Sequence, residues 1–131
     1  MRGDDITILI DNSSGVPLYE QIIRQIREQF IDGTLAPGTQ LHSIRHLAQQ
    51  LQVSVITTKR AYEELEREGI IRTIAGKGTF LSDSPPDNAK QSYRAEVLDA
   101  LKTTARQAKI LGMTAAEFTA LAKNAYEEEH R

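Results

Sequence analysis

The segment that decides the fold runs from Ser43 to Gly69 and reads SIRHLAQQLQVSVITTKRAYEELEREG. Ser43 and Ser54 each precede a run of apolar residues with helical spacing, and serine is a preferred residue at the N-cap of a helix. The first run extends to about Leu51 and the second ends near Gly69, so only a short turn separates the two helices. Two helices joined in this way are the helix-turn-helix arrangement.

The residues before this segment predict one further helix. Pro17 suits the first turn of a helix, where its missing N–H costs nothing. Gly33 is suited to end that helix, and between the two an apolar stripe recurs at four-residue spacing: Leu18, Ile22, Ile26 and Phe30. Upstream, Ile6–Ile10 is apolar and rich in β-branched residues, which predicts a short strand.

The residues after Gly69 predict a β-hairpin. Ile70–Ile74 has the composition of a strand, Ala75–Gly78 that of a glycine-rich turn, and Thr79–Leu81 that of a returning strand. Three helices followed by such a hairpin are the order of a winged helix-turn-helix domain.

The rest of the chain predicts a linker and two helices. Turn-forming residues and a proline pair cluster in Ser82–Asn88, so we expect one domain at residues 1–83 and a tail at residues 84–131. Gly112 ends the first tail helix, and the second begins with a capping box from Thr114 to Glu117. The residues expected to be buried are Val97, Leu98, Leu101, Ala105 and Ala108 in the first helix and Phe118, Leu121, Ala122 and Ala125 in the second.

An antiparallel hairpin of about 40 residues has too little core to be stable alone. We therefore expect the tail to pack against a second copy and to make the protein a homodimer. The predicted fold is mainly α with a small β-hairpin, an N-terminal winged helix-turn-helix plus a C-terminal two-helix antiparallel dimerisation hairpin.

Composition limits the function classes. The 131 residues, of which 40% are hydrophobic and 26% charged, contain no bilayer-spanning run and no secretory signal, so a cytoplasmic protein without a membrane partner is expected. Cysteine is absent, which excludes disulfides and thiolate metal sites. His42 and His46 leave open a metal pair, but no fitting carboxylate lies beside them in the sequence. No triad or carboxylate pair suggests catalysis, and we expect neither an enzyme nor a cofactor.

The distribution of charge along the sequence favours a nucleic-acid partner more than the net charge does. A net charge of -2 is unfavourable for binding phosphate. Between Gln40 and Arg60, however, the sequence has three cations, Arg45, Lys59 and Arg60, and no Asp or Glu. An acidic chain therefore includes a locally basic segment.

The second helix of the helix-turn-helix has one face for the core and another for a partner. The i, i+3, i+4, i+7 spacing expected of a buried face is found in Thr58, Ala61, Tyr62 and Leu65. Recognition helices enter the major groove with their N-terminal end. The outward residues at that end, the candidates for contact with bases and phosphates, are Val55, Ile56, Thr57, Lys59 and Arg60. Ser54 caps a helix N-terminus that can also bind phosphate, and an outward Ile56 suits a thymine methyl group.

The glycine turn of the hairpin has two interpretations. As a nucleotide-binding loop, Gly76–Gly78 lacks both the Walker spacing and a strand-to-helix context. As the tip of a wing, Gly76 lets the backbone approach DNA closely, and Lys77 supplies a cation for a phosphate or the minor groove. We therefore predict DNA contact for Gly76 and Lys77.

Beyond these patterns, the sequence from Pro17 to Leu81 resembles the DNA-binding domain of the GntR family. The residues that carry the resemblance include Pro17-Leu-Tyr-Glu-Gln-Ile22, Gly33-Thr-Leu-Ala-Pro-Gly38, Leu41-His-Ser-Ile-Arg-His-Leu-Ala48, Arg60-Ala-Tyr-Glu-Glu-Leu65 and Gly76-Lys-Gly-Thr-Phe80. The proline-leucine-tyrosine opening and the two-helix tail are similar to the YtrA-like subfamily, whose members are homodimeric and usually repressors. The resemblance implies DNA contact for Arg45, and also for Ser54, Thr57, Lys59, Gly76 and Lys77.

Three positions depart from the family pattern. His42 replaces a usual proline, Val55 a polar residue or arginine, and Thr58 an aliphatic residue. Because Val55 and Ile56 would contact methyl groups where an arginine contacts guanine, we do not expect the family's operator preference to transfer.

The resulting expectation is a regulator that binds two-fold symmetric double-stranded operator DNA, with half-sites about one helical turn apart. Two alternatives stay open. One is a winged-helix protein-interaction module with only non-specific DNA binding. The other is a switch in which an unknown small-molecule effector binds at the dimer or domain interface.

Overall fold

The structure, a computed structural model, describes residues 6–129, within which lie five helices and a three-stranded antiparallel sheet. In chain order the elements are α1 (Leu18–Ile31), β1 (Gln40–Leu41), α2 (Ile44–Leu51), α3 (Val55–Arg67), β2 (Ile71–Ile74), β3 (Gly78–Leu81), α4 (Asp87–Ile110) and α5 (Ala115–Glu128). The predicted class, mainly α with a small hairpin, is confirmed. The chain divides into two compact units, Met1–Gln91 and Ser92–Arg131.

The core of the first unit lies where α3 packs against both α1 and α2. The predicted inner face of α3, Thr58, Ala61, Tyr62 and Leu65, is buried along its whole length. Near the C-terminal end of α3 the Arg27 guanidinium of α1 donates two hydrogen bonds to the Glu68 carboxylate, at 2.8 and 3.0 Å. This ion pair joins α1 to the end of α3 in a largely buried position, where its partners are poorly screened by water.

Both predicted serine caps of the helix-turn-helix are present. The Ser43 hydroxyl accepts a hydrogen bond from the His46 N–H and the Ser54 hydroxyl accepts one from the Thr57 N–H. Between the helices Gln52 adopts the left-handed conformation, with φ of 57°, and ends α2. A non-glycine residue there is uncommon, and it makes the turn tight enough for α3 to begin three residues later.

The hairpin forms as predicted, and the structure adds a third strand. β2 and β3 pair antiparallel, with Thr73 opposite Thr79, and β3 begins at Gly78, one residue earlier than predicted. On the other side of β3 lies β1, in which Gln40 is opposite Phe80. A strand of two residues is too short for alternation to be visible in the sequence, and for that reason it was not predicted.

The predicted strand at Ile6–Ile10 is wrong, because the segment is extended but forms no strand. Glutamine side chains of α1 take the place of a neighbouring strand. The Gln25 amide accepts a hydrogen bond from the Leu9 N–H and donates one to the Leu9 C=O, both at 2.8 Å. Gln21 makes the same two bonds to Asp11, and Gln29 donates to the Thr7 C=O. Alternate residues of the segment thus bond to glutamines spaced one helical turn apart.

Gln21 provides a test of this arrangement. Besides Asp11, its amide donates to Val16 and Ser14, and the side chain is buried. We expect Gln21→Ala to lower the free energy of unfolding by about 1–3 kcal/mol, since it leaves backbone groups without their partner. Urea unfolding measures the loss, and Gln91→Ala, at an exposed glutamine of α4, is the control. Equal stability of the two variants would contradict this account of the N-terminal segment.

The second unit leaves much of its apolar stripes uncovered. α4 begins at Asp87, inside the predicted linker, and ends at Ile110, two residues before Gly112, which has a φ of 79°. The Thr114 capping box is formed, and its hydrogen bonds, first that from the Thr114 N–H, lower the pKa of Glu117. α5 has no buried residue and makes no extensive contact with α4. Within one chain Ala108 is buried as expected, but the other stripe residues are not: Ala105, Phe118 and Ala122 are half-buried, and Val97, Leu98, Leu101, Leu121 and Ala125 are exposed.

The helices were compared with the length and hydropathy that a membrane span requires. No helix within residues 6–129 is long and apolar enough to cross a membrane.

Candidate nucleic-acid interface

The N-terminal turn of α3 is presented to solvent. Ile56 is 80% exposed and Val55 43% exposed, both unusual for large apolar side chains at a helix start. Ser54 and Thr57 are hydrogen-bonded to each other, since the Ser54 hydroxyl donates to Thr57 Oγ1 at 2.8 Å while it accepts from the Thr57 N–H. This turn is therefore an ordered surface with two exposed apolar side chains and two hydroxyls.

One of the departures from the family pattern has a structural explanation. Thr58 is fully buried, and its hydroxyl donates to the Ser54 C=O at 3.2 Å, so that no polar atom of it is left unsatisfied in the core. The Tyr62 hydroxyl donates to the His42 C=O at 2.7 Å and thereby ties the start of α2 to the middle of α3. Burial raises the pKa of Tyr62, which keeps the hydroxyl protonated and able to donate.

The four predicted cations are exposed, namely Arg45 on α2, Lys59 and Arg60 on α3 and Lys77 in the wing. Among residues 6–129 no carboxylate lies within ion-pair distance of any of them. Cations without a protein partner remain available to phosphate, where they release bound counterions.

Arg60 is placed differently from the other cations. Its guanidinium lies over the ring of Tyr19, 3.8 Å from the ring centroid, which is a cation–π contact between α3 and α1. The predicted role of Arg60 as a DNA contact remains a prediction, but its side chain has a partner within the protein. Sequence reasoning missed this contact, because no local pattern relates Tyr19 to a residue so far along the chain.

The wing is a tight hairpin with its tip at residues 75–77. The Lys77 N–H donates to the Ile74 C=O at 2.9 Å, and the glycines on either side of Lys77 have φ values of 76° and 123°. These values lie in the region that favours glycine, so Gly76 and Gly78 are required by the backbone of the turn.

A groove of about 340 Å³ brings the recognition helix and the wing together. Its lining consists of Gln40, Leu41, Ser43, Ile44, Lys59, Tyr62, Glu63, Glu66, Thr73, Gly78 and Thr79. One of the predicted site residues, Lys59 of α3, therefore lines this groove, together with Gly78, which follows Lys77 in the wing. The Glu66 carboxylate in this groove has a hydrogen-bond partner within the protein, because it accepts a bond from the Thr73 N–H at 3.2 Å.

The two histidines lie side by side, with ring centroids 4.3 Å apart. Over residues 6–129 no group of three or more metal-binding side chains is arranged to hold an ion. Within this range, therefore, His42 and His46 have no third side chain with which they could bind a metal ion.

Residues 18–81 match the family model described as "Bacterial regulatory proteins, gntR family". The chain is 40% identical to the HTH-type transcriptional repressor YtrA of Bacillus subtilis over 95 residues, which cover 72% of this chain and 73% of the relative.

Solved structures give the same family. A GntR family transcriptional regulator from Listeria monocytogenes is 30% identical, with a TM-score of 0.68, and the match covers 88% of this chain and 98% of that one. The DNA-binding domain of AraR in complex with operator ORX1 is 25% identical, with a TM-score of 0.51, over 59% of this chain and 96% of that domain. The predicted resemblance to YtrA-like regulators is confirmed, and the chain belongs to the GntR family of DNA-binding bacterial transcriptional regulators.

Proposed function

We propose that the chain is a non-enzymatic, homodimeric repressor that binds a two-fold symmetric double-stranded operator. The proposal rests on the exposed N-terminal turn of α3, which lies beside a wing and next to cations that have no carboxylate partner within residues 6–129. The DNA contacts in this proposal are Arg45, Ser54, Val55, Ile56, Thr57, Lys59, Arg60, Gly76 and Lys77. The similar YtrA protein is named a repressor, and the similar AraR domain was solved with an operator. Chromosomal DNA as the partner puts the site of action in the cytoplasm.

The homodimer is supported by the uncovered stripes of the second unit. Val97, Leu98 and Leu101 of α4 are each about half exposed, as is Leu121 of α5. Burial of such aliphatic side chains is favourable by about 25 cal/mol for each Å² removed from water. A second copy presents the same apolar stripes in self-complementary form, as a two-fold interface requires.

Selection of genomic fragments by the purified protein tests the proposed function. We expect enriched sites with two-fold symmetry and a half-site spacing of about 10 base pairs or a multiple of it. Binding to these sites should exceed non-specific binding by about 10³-fold or more. Recovery of no common sequence, together with binding that depends on salt alone, would indicate the protein-interaction module instead.

Regulation by a small molecule is the final part of the proposal, and thermal unfolding tests it. An effector that binds the native dimer raises its melting temperature in proportion to the logarithm of its concentration. The same effector should change the affinity for the selected operator if its site is coupled to the DNA-binding surface.

Ile56 provides a prediction about which bases are contacted. If Ile56 packs on a thymine methyl group, replacing that thymine by uracil removes one methyl contact, worth about 0.8 kcal/mol or about fourfold in affinity. We expect Ile56→Ala to cause a similar loss on the thymine operator and to abolish the sensitivity to uracil. Fluorescence anisotropy with operator duplexes that carry single substitutions measures both. A variant that discriminates thymine from uracil as well as the wild type does would rule out the contact.

A further inference from the structure

The base of the wing is held by the rest of the first unit. The Ser82 N–H donates to the Ile70 C=O, and the Ser82 hydroxyl donates to the Gly69 C=O at 2.6 Å. On the other strand the Thr73 N–H donates to the Glu66 carboxylate of α3. These bonds fix where the hairpin leaves the domain, but none of them reaches the tip at residues 75–77.

The third strand also stops short of the tip. β1 pairs only with Phe80 and Thr79 of β3, so backbone pairing along that edge ends before Gly78. At the tip itself, two glycines flank Lys77, and glycine restricts the backbone least of all residues. Within the hairpin the tip is restrained by the bond from the Lys77 N–H to the Ile74 C=O and by the pairing of Ile74 with Gly78, and a side chain outside the hairpin would restrict it further.

Gln40 supplies that side chain. From β1 its Nε2 donates a hydrogen bond to the Lys77 C=O at 3.1 Å. In the part of the chain that the structure describes, no other side chain outside the hairpin is seen to bond to residues 75–77. The amide lies so close to Gly78 that a Cβ there would be 2.7 Å from Nε2, so a side chain at this position would displace the Gln40 amide.

We infer that Gln40 is a positioning residue that holds the wing tip so that Lys77 is presented to DNA. This inference rests on the proposed function, because it assumes that Lys77 contacts the duplex. Gln40 acts through the Lys77 backbone carbonyl and leaves the Lys77 ammonium free. Its hydrogen bond restrains the one stretch of the wing that neither the base contacts nor β1 holds.

A double-mutant cycle between Gln40 and Lys77 tests the inference. Gln40→Met keeps the length and flexibility of the side chain but removes the donor, and Gln91→Met at an exposed position is the control. We expect Gln40→Met to weaken operator binding about three- to tenfold, the order expected for one hydrogen bond. In a Lys77→Ala background the same change should cost less than about twofold, because the group it positions is gone.

Each other outcome of the cycle has a defined meaning. If Lys77→Ala leaves affinity unchanged, the wing contact of the proposed function is wrong and the inference fails with it. If Lys77→Ala weakens binding but Gln40→Met does not, only the inference is overturned. Fully additive losses would show that Gln40 contacts DNA itself, which also overturns the positioning role.

A measurement on the free protein tests the same bond without DNA. Backbone order parameters from nitrogen-15 relaxation are about 0.85 for rigid residues and fall below about 0.6 for flexible ones. We expect Gln40→Met to lower the values at Lys77 and Gly78 toward the flexible range, with Thr73 unchanged. Identical order parameters in wild type and variant would contradict the inference, whatever the binding data show.

Discussion

Replacing Leu98 and Leu101 by glutamate should convert the protein into a monomer and weaken its binding to an operator with two half-sites by about 10²-fold or more. Each leucine is 49% exposed on the uncovered stripe of α4, so the substitution does not disturb the core of the first unit. In a dimer, however, it would bury charges without partners, which costs several kcal/mol per ion. The loss of affinity follows because the second half-site is then no longer bound intramolecularly.

Sedimentation equilibrium and gel-shift titration measure the two consequences separately. Thr103→Glu is the control for each single substitution, since Thr103 is exposed on the opposite side of α4 and the change adds one negative charge, as each leucine replacement does. The double variant should bind an isolated half-site as well as the wild type does. A double variant that stays dimeric, or a monomer that binds the full operator normally, would show that the tail is not the dimerisation surface.

The second large effect is expected at Lys59. Lys59→Ala should weaken operator binding by about 1–3 kcal/mol if the ammonium contacts a base, or reduce the salt slope by about one if it contacts a phosphate. Lys59 lies in the first half of α3, is exposed, and lines the groove that the helix shares with the wing. Arg45→Ala, at the start of α2, should behave in the same way.

Lys90→Ala is the control for both changes, because Lys90 is an exposed cation of α4 outside the predicted surface. Titrations at several salt concentrations distinguish a base contact from a phosphate contact. If Lys59→Ala and Arg45→Ala both resemble the control at every salt concentration, the assigned surface is wrong.

The helices and the hairpin could be predicted from the sequence because their signals are local. Ser43 and Ser54 cap helices through bonds to residues three positions ahead, and the four-residue spacing on α1 marks its buried face. The same holds for Gly112 and for the capping box at Thr114, each formed within one turn of helix.

What the sequence did not reveal depends on contacts between distant residues. Ile6–Ile10 has the composition of a strand. Its backbone, however, forms hydrogen bonds with glutamine side chains of α1, and no neighbouring strand is present to pair with it. In the candidate site the stacking of Arg60 on Tyr19 and the bond from Gln40 to Lys77 arise only once the chain has folded. The residues that would contact DNA were thus easier to predict than the residues that position them.

The central claim is that the N-terminal turn of α3 enters a DNA groove while the wing binds alongside. Amide chemical shifts of the nitrogen-15-labelled dimer, recorded during titration with the selected operator duplex, test it most directly. The account predicts that the largest changes fall on residues 54–60 and 75–78. Large changes confined to other parts of the first unit, such as the N-terminal segment along α1, with the start of α3 unaffected, would contradict it.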